Sequence, residues 1–145
     1  MQVFSLEPIT EVNMVEFFLY FLAYTGLAYV TAIIMRLLTK KVVVLKKPTK
    51  IIERMPLGFL LLATVIEELI FRGIPFLFGD ERWILFGTVV WASIHFYLHQ
   101  VVSAFIFGIL LYRYWAGGLV IQAILTHLLF NLLGYALIKV LRYKE

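Results

Sequence analysis

The sequence predicts an all-α, polytopic membrane bundle of about five transmembrane helices, and two observations lead to that prediction. First, 63% of the 145 residues are hydrophobic and only 15% are charged, whereas globular chains are roughly 45–50% apolar and about 25% charged. Second, the apolar residues form long runs that are separated by stretches rich in charge, glycine or proline. A chain this short cannot bury so much apolar surface in a water-facing fold. We therefore expect membrane lipid to surround it, and we expect no nucleic-acid partner.

The apolar runs predict the helices in chain order, within a single membrane domain that covers residues 1–145. The first run, Met14–Leu38, is long enough to cross a bilayer with some tilt. The second run is Leu57–Phe78, and its end is marked by Gly73, Pro75 and the polar turn GDER. Both runs therefore predict transmembrane helices.

The second half of the chain supplies the remaining helices. The stretch Trp83–Trp115 would be roughly 50 Å long as one helix, at about 1.5 Å per residue. Because that is too long for one crossing, we place a break near Tyr97–Val101, which gives two short helices. Two adjacent glycines then precede a last predicted helix, Leu119–Leu141.

The basic residues predict the orientation of the bundle. They concentrate after the first helix and in the C-terminal tail: Lys40, Lys41, Lys46, Lys47, Lys50, Arg54, Lys139, Arg142 and Lys144. The positive-inside rule places both groups in the cytoplasm, and an odd number of crossings with the N-terminus outside satisfies both placements. Binding of acidic lipid or of an acidic partner is the alternative explanation of the basic loop.

Three charged residues in the second helix are the first candidates for chemistry, since an ionisable group at membrane depth costs about 2.5–3.5 kcal/mol. Glu68 and Arg72 are four residues apart and share a helix face, whereas Glu67 is rotated by about 100° from Glu68. We therefore expect Glu68 to pair with Arg72 and Glu67 to face another helix. Such an ion pair can also serve only to hold helices together.

Histidine and asparagine supply the other polar candidates. His95 and His99 are spaced i,i+4 near the end of the third helix, and His127 and Asn131 are spaced i,i+4 in the last helix. One such residue is often a satisfied interhelical hydrogen bond, but polar clusters on three helices indicate acid–base chemistry on water. The absence of cysteine excludes thiol nucleophiles and thiolate metal sites. We interpret the remaining aromatic residues as lipid contacts and interface anchors.

Three motifs carry a resemblance to a known family. They are EELIFR (Glu67–Arg72), WASIH (Trp91–His95) and HLLFN (His127–Asn131). In order and spacing they resemble the E-E-x-x-x-R, F-x-x-x-H and H-x-x-x-N signature of the CAAX-protease and bacteriocin-processing intramembrane endopeptidases, which include type II CAAX prenyl endopeptidases. The family-like catalytic core would be about residues 57–141, preceded by an extra helix, and Trp91 stands where the family usually has Phe.

The resemblance implies an integral membrane protease, in a prokaryotic cell membrane, whose site is reached from the cytoplasmic side. The implied catalytic residues are Glu67, His95, His127 and Asn131. By this resemblance Glu67 is the general base that polarises water together with His95, while His127 and Asn131 stabilise the oxyanion. The substrate would be a peptide or a lipidated protein, with a prenylated CAAX-type tail as one candidate.

The resemblance gives supporting roles to further polar residues. Glu68 and Arg72 would orient the site, and His99 is an extra imidazole that would act as a proton shuttle or as a helix cap. Because the chain is short for such a protease, self-association is one way to complete the cavity.

Three alternatives remain open at this point. We expect no cofactor, but Glu67, His95 and His127 would also suit zinc, which takes three protein ligands and a water in catalytic sites. A non-catalytic scaffold is another reading, as the resemblance of the Aph subunit of gamma-secretase to this family illustrates. Buried acids and imidazoles also mark transport proteins, although the sequence shows neither inverted repeats nor paired broken helices.

Overall fold

The computed structural model describes residues 3–39, 56–95 and 97–142, with side chains up to Leu137. The basic segment from Lys40 to Arg54 lies outside the described residues, as do the charged groups of the C-terminal tail. The predicted orientation rests on those residues, so it stays a prediction.

The described chain is helical and its elements include no strand, which confirms the all-α part of the predicted fold class. Its elements are α1 (Met14–Thr39), α2 (Leu57–Glu68), a π-helical turn (Leu69–Gly73), α3 (Ile74–Phe76), α4 (Glu81–Ser93), α5 (Leu98–Ala116) and α6 (Val120–Arg142). The backbone stays helical from α2 through the π-helical turn into α3. The described residues therefore form five helical rods, with α2, the π-helical turn and α3 as one rod. The bounds of the rods lie within a few residues of the predicted ones.

The π-helical turn lies in the helix that carries both glutamates. The helix continues through Gly73 and Pro75 to Phe76, two residues short of the predicted end at Phe78. Pro75 has no N–H, and its ring clashes with the carbonyl four residues earlier in a regular α-helix. The helix widens instead, and the N–H of Ile74 bonds to the carbonyl of Leu69, five residues back.

The predicted break between the third and fourth rods exists, but it lies slightly earlier in the chain. α4 ends at Ser93, and the extended residue Tyr97 precedes α5. The ring Nδ1 of His95 is 3.2 Å from the carbonyl oxygen of Trp91 and 3.1 Å from that of Ala92. The His95 ring therefore helps to satisfy the carbonyl groups at the C-terminal end of α4, where the helix itself supplies too few donors.

This break corrects one prediction about the histidines. His95 lies beyond the end of α4 and His99 lies in the first turn of α5. The two imidazoles therefore do not share one helix face, and their i,i+4 spacing has no helical meaning.

In the part of the chain that the structure describes, two helices are long and apolar enough to cross a membrane, α1 and the Val120–Leu137 part of α6. Large apolar side chains on both point away from the protein interior, among them Leu22, Ile33 and Ile121. The shorter α4 has 13 residues and would be about 20 Å long. Five crossings therefore stay a prediction.

α5 is the central helix, packed between α1, α4 and α6. Its residues Phe107, Leu110 and Leu111 are fully buried. On the other side of α4, Gly87 lies directly against the π-helical turn, because a Cβ atom there would be 1.8 Å from the carbonyl oxygen of Phe71. This close approach brings α4 beside the glutamates.

Candidate active site

Glu68 is the centre of the polar cluster, and its side chain is fully buried. One carboxylate oxygen, Oε1, accepts hydrogen bonds from Arg72 Nη1 at 2.6 Å and from His127 Nδ1 at 2.6 Å. The other, Oε2, accepts from the indole N–H of Trp115 at 2.8 Å. Burying a carboxylate is costly unless it is paired and hydrogen-bonded, and here both oxygens are engaged. Glu68 thus ties its own helix to α5 and α6.

Arg72 is buried beside it and lies in the π-helical turn. Its pairing with Glu68 confirms the predicted ion pair. The guanidinium also donates from Nε to the Thr88 hydroxyl at 3.2 Å, and Cζ lies 4.6 Å from the ring centroid of Trp91. Arg72 therefore links its helix to α4 through both a hydrogen bond and an aromatic face.

Glu67 lies in a different environment from its neighbour. Its side chain is 43% exposed, and Oε2 accepts a hydrogen bond from the indole N–H of Trp91 at 3.0 Å. The prediction that Glu67 faces another helix is confirmed, since Trp91 belongs to α4. Of the two glutamates, only Glu67 has a side chain that is exposed at the protein surface.

His127 lies between the two carboxylates. Because a carboxylate can only accept, the bond to Glu68 places a hydrogen on Nδ1 of His127. Its other ring nitrogen, Nε2, then faces Glu67, with 3.9 Å between Nε2 and Oε2. The imidazole is almost completely buried, so its orientation is fixed by Glu68.

Asn131 and His127 each form a hydrogen bond that links α6 to α2. The Asn131 amide donates to the Thr64 hydroxyl at 2.7 Å, one turn away from the bond between His127 and Glu68. Since Thr64 and Glu68 are also four residues apart, the two helices run antiparallel with matching polar positions. The predicted projection of His127 and Asn131 from one helix face agrees with this arrangement.

The two remaining histidines differ in their relation to this cluster. The rings of His95 and His127 both pack edge-on against Trp91, each with ring centroids 5.1 Å apart. His99 instead stacks on Tyr97, with ring centroids 5.5 Å apart, and its Nδ1 is buried without a hydrogen-bond partner among the described residues. The structure therefore gathers His95, His127 and Glu67 around Trp91, whereas the described ring contact of His99 is with Tyr97.

A family comparison covers the part of the chain that contains this cluster. The model of the type II CAAX prenyl endopeptidase Rce1-like family matches residues 54–133, which is more than half of the 145 residues. The chain belongs to this family. The family is one of membrane-embedded proteases, and the matched range contains all three motifs. Searches of curated proteins and of solved structures found no match.

Three residues of this candidate site were missed by the sequence reasoning. Trp115 was interpreted as a lipid contact or interface anchor, but it is buried and donates to Glu68. Thr64 and Thr88 accept hydrogen bonds from Asn131 and Arg72. Thr64 did have a sequence signal, because it lies one turn before Glu68 on the same face.

The zinc alternative gains no support from the side-chain arrangement. Within residues 3–39, 56–95 and 97–137, no three His, Asp or Glu side chains converge as metal ligands. One of the three proposed ligands, His95, directs its Nδ1 to the end of α4. His127 likewise uses Nδ1 for Glu68.

Proposed function

We propose that this protein is an intramembrane endopeptidase in which Glu67 activates the attacking water. The observation that carries the proposal is the contrast between two neighbouring carboxylates. Glu68 is buried with both oxygens engaged, whereas Glu67 is 43% exposed and faces His127 across 3.9 Å. A general base must reach water, and Glu67 alone meets that requirement.

The proposed reaction is water attack on a peptide carbonyl. Glu67 accepts a proton from water, with His95 orienting that water, while the water oxygen bonds to the carbonyl carbon and the carbonyl electrons move to its oxygen. When the tetrahedral intermediate collapses, the C–N bond breaks and the proton passes from Glu67 to the leaving amine.

His127 and Asn131 are proposed to hold the oxyanion. Glu68 fixes the ring of His127 so that Nε2 points toward Glu67, and a hydrogen on Nε2 would donate to the oxyanion. Asn131 uses one amide hydrogen for Thr64 and has a second to donate. Preorganised donors of this kind in a water-poor site typically contribute about 2.7–4 kcal/mol each.

We also propose that the protein spans the cell membrane with all five rods and opens its site to the cytoplasm. Three observations support this: family membership, the two long apolar helices, and exposed apolar side chains on the shorter rods. Phe59 and Phe86 are examples of such side chains. Surface of this kind is compatible with lipid. The proposed substrate is a peptide bond near the C-terminus of a prenylated CAAX-type protein, and self-association stays a prediction.

Peptide cleavage in liposomes tests this function. A fluorogenic panel that includes a farnesylated CAAX peptide is compared for wild type, Glu67→Ala and His127→Ala, each with and without a strong zinc chelator. We expect cleavage that both substitutions abolish and that chelation leaves unchanged. Cleavage that survives in Glu67→Ala, or that chelation abolishes, would contradict the proposal. A folded wild type that cleaves no peptide would favour the scaffold alternative.

A further inference from the structure

Trp91 contacts four of the residues that are proposed to form the active site. Its indole N–H donates to Glu67, its ring lies under the Arg72 guanidinium, and the rings of His95 and His127 both pack edge-on against it. The side chain is 3% exposed. Trp91 is thus a buried wall that touches the proposed base and both proposed imidazoles.

The indole ring of Trp91 packs against α5 at Gly108. A Cβ atom at Gly108 would lie 3.3 Å from Trp91 Cζ3 and 2.8 Å from the Thr88 methyl group. The missing side chain at Gly108 therefore provides the space that the six-membered ring of Trp91 occupies. With Arg72 stacked on its face, the indole has a fixed plane, and so its N–H has a fixed direction.

Glu67 needs such an anchor because its side chain is partly exposed. Ordering a glutamate side chain costs up to about 2 kcal/mol of rotamer entropy, and a carboxylate that samples several rotamers is seldom aligned with its substrate. Among the described residues, the hydrogen bond from Trp91 engages only Oε2 of Glu67. The remaining oxygen, Oε1, is left to bind water.

We propose that Trp91 is the positioning residue of the general base: its indole N–H holds one oxygen of Glu67 so that the other faces the attacking water. This inference rests on the proposed function. Phe at this position would keep an aromatic wall but would have no donor, so the proposal concerns a feature of this chain and not of the motif.

Replacement of the N–H alone tests the role of Trp91. Benzothienylalanine, introduced site-specifically at position 91, keeps the bicyclic shape and lacks the donor, and Trp91→Phe provides a second variant. A hydrogen bond to a charged group corresponds to a roughly ten- to hundredfold change in rate, so we expect kcat to fall by that factor while KM stays unchanged. Trp83→Phe is the matched control, because Trp83 is an exposed side chain beside Phe78 and Phe86.

A spectroscopic measurement tests the contact without any substrate. The chain has three tryptophans, so Trp91→Phe and Trp83→Phe assign their indole N–H signals in proton–nitrogen correlation NMR. Glu67→Gln is expected to shift the Trp91 signal and to leave the Trp83 signal in place. An unmoved Trp91 signal would overturn the proposal.

Failure of this inference is distinguishable from failure of the proposed function. An active wild type, an inactive Glu67→Ala variant and unchanged kcat with benzothienylalanine would overturn the role of Trp91 alone. Cleavage that persists in Glu67→Ala would instead overturn the choice of base. The indole signal decides the contact between Trp91 and Glu67 in either case.

Discussion

At the scale of single residues, the site depends on two neighbouring glutamates that lie in opposite environments. Consecutive helical residues are rotated by about 100°, so Glu68 enters the bundle while Glu67 points toward α4 and stays partly exposed. Sequence reasoning could predict this division, because Arg72 four residues later gives Glu68 a partner. It could not predict Trp115, since the partner of a buried indole N–H depends on how distant helices pack.

The bond between Asn131 and Thr64 gives a prediction at this scale. Thr64→Val keeps the shape of the side chain but removes the acceptor for the Asn131 amide, which donates to it at 2.7 Å. We expect a loss of about 1 kcal/mol in the free energy of unfolding in detergent. Thr64→Ser is the control that keeps the hydroxyl. Equal unfolding midpoints for the two variants would show that the bond does not stabilise the fold.

At the scale of helices, the π-helical turn and the end of α4 shape the site. Apolar runs, prolines and glycines predicted the helix bounds well, since proline and glycine act on the backbone of their own and adjacent residues. Pro75 signalled an irregularity, but whether a helix stops, kinks or widens there depends on its neighbours. The widened turn persists here because Gly87 leaves room for the Phe71 carbonyl. Likewise, His95 capping the end of α4 requires a ring orientation that spacing alone does not reveal.

Gly87→Ala tests the packing of α4 against the π-helical turn. The added Cβ would lie 1.8 Å from the Phe71 carbonyl oxygen, so α4 must move and carry Trp91 with it. We expect a destabilisation of about 1–3 kcal/mol, together with loss of cleavage. Gly26→Ala in α1 is the matched control, because beyond its chain neighbours and the nearby backbone of its own helix no described atom lies within 4 Å of its added Cβ. Equal stability of the two variants would contradict this packing.

At the scale of the whole molecule, the N-terminal segment, residues 3–9, is hydrogen-bonded to Arg113 near the end of α5. Arg113 donates to the carbonyl oxygens of Val3 and Glu7, each at 2.8 Å, and to the Tyr24 hydroxyl at 3.0 Å. The N–H of Ile9 in turn donates to the carbonyl of Arg113 at 3.0 Å. These contacts join residues about a hundred positions apart, a pairing that no local sequence signal could predict.

Arg113→Met is predicted to release this segment. Without the guanidinium, the carbonyls of Val3 and Glu7 lose their donor, and the Ile9 amide is expected to exchange its hydrogen faster with solvent. Hydrogen exchange followed by mass spectrometry measures this for the N-terminal peptide. Arg82→Met is the control, since Arg82 forms an exposed pair with Asp80. Unchanged protection of the Ile9 amide in Arg113→Met would show that other contacts hold the segment.

The central claim is that Glu67 performs chemistry while Glu68 maintains the structure, and one paired measurement tests it most directly. Cleavage rate and thermal unfolding midpoint are measured together for Glu67→Gln and Glu68→Gln. Loss of a general base lowers kcat by about a hundred- to ten-thousandfold, so Glu67→Gln is expected to do so without changing the midpoint. Glu68→Gln leaves Arg72 buried beside a neutral partner and is expected to cost about 3–5 kcal/mol in stability. Wild-type cleavage in Glu67→Gln, or an inactive Glu68→Gln with an unchanged midpoint, would contradict the account.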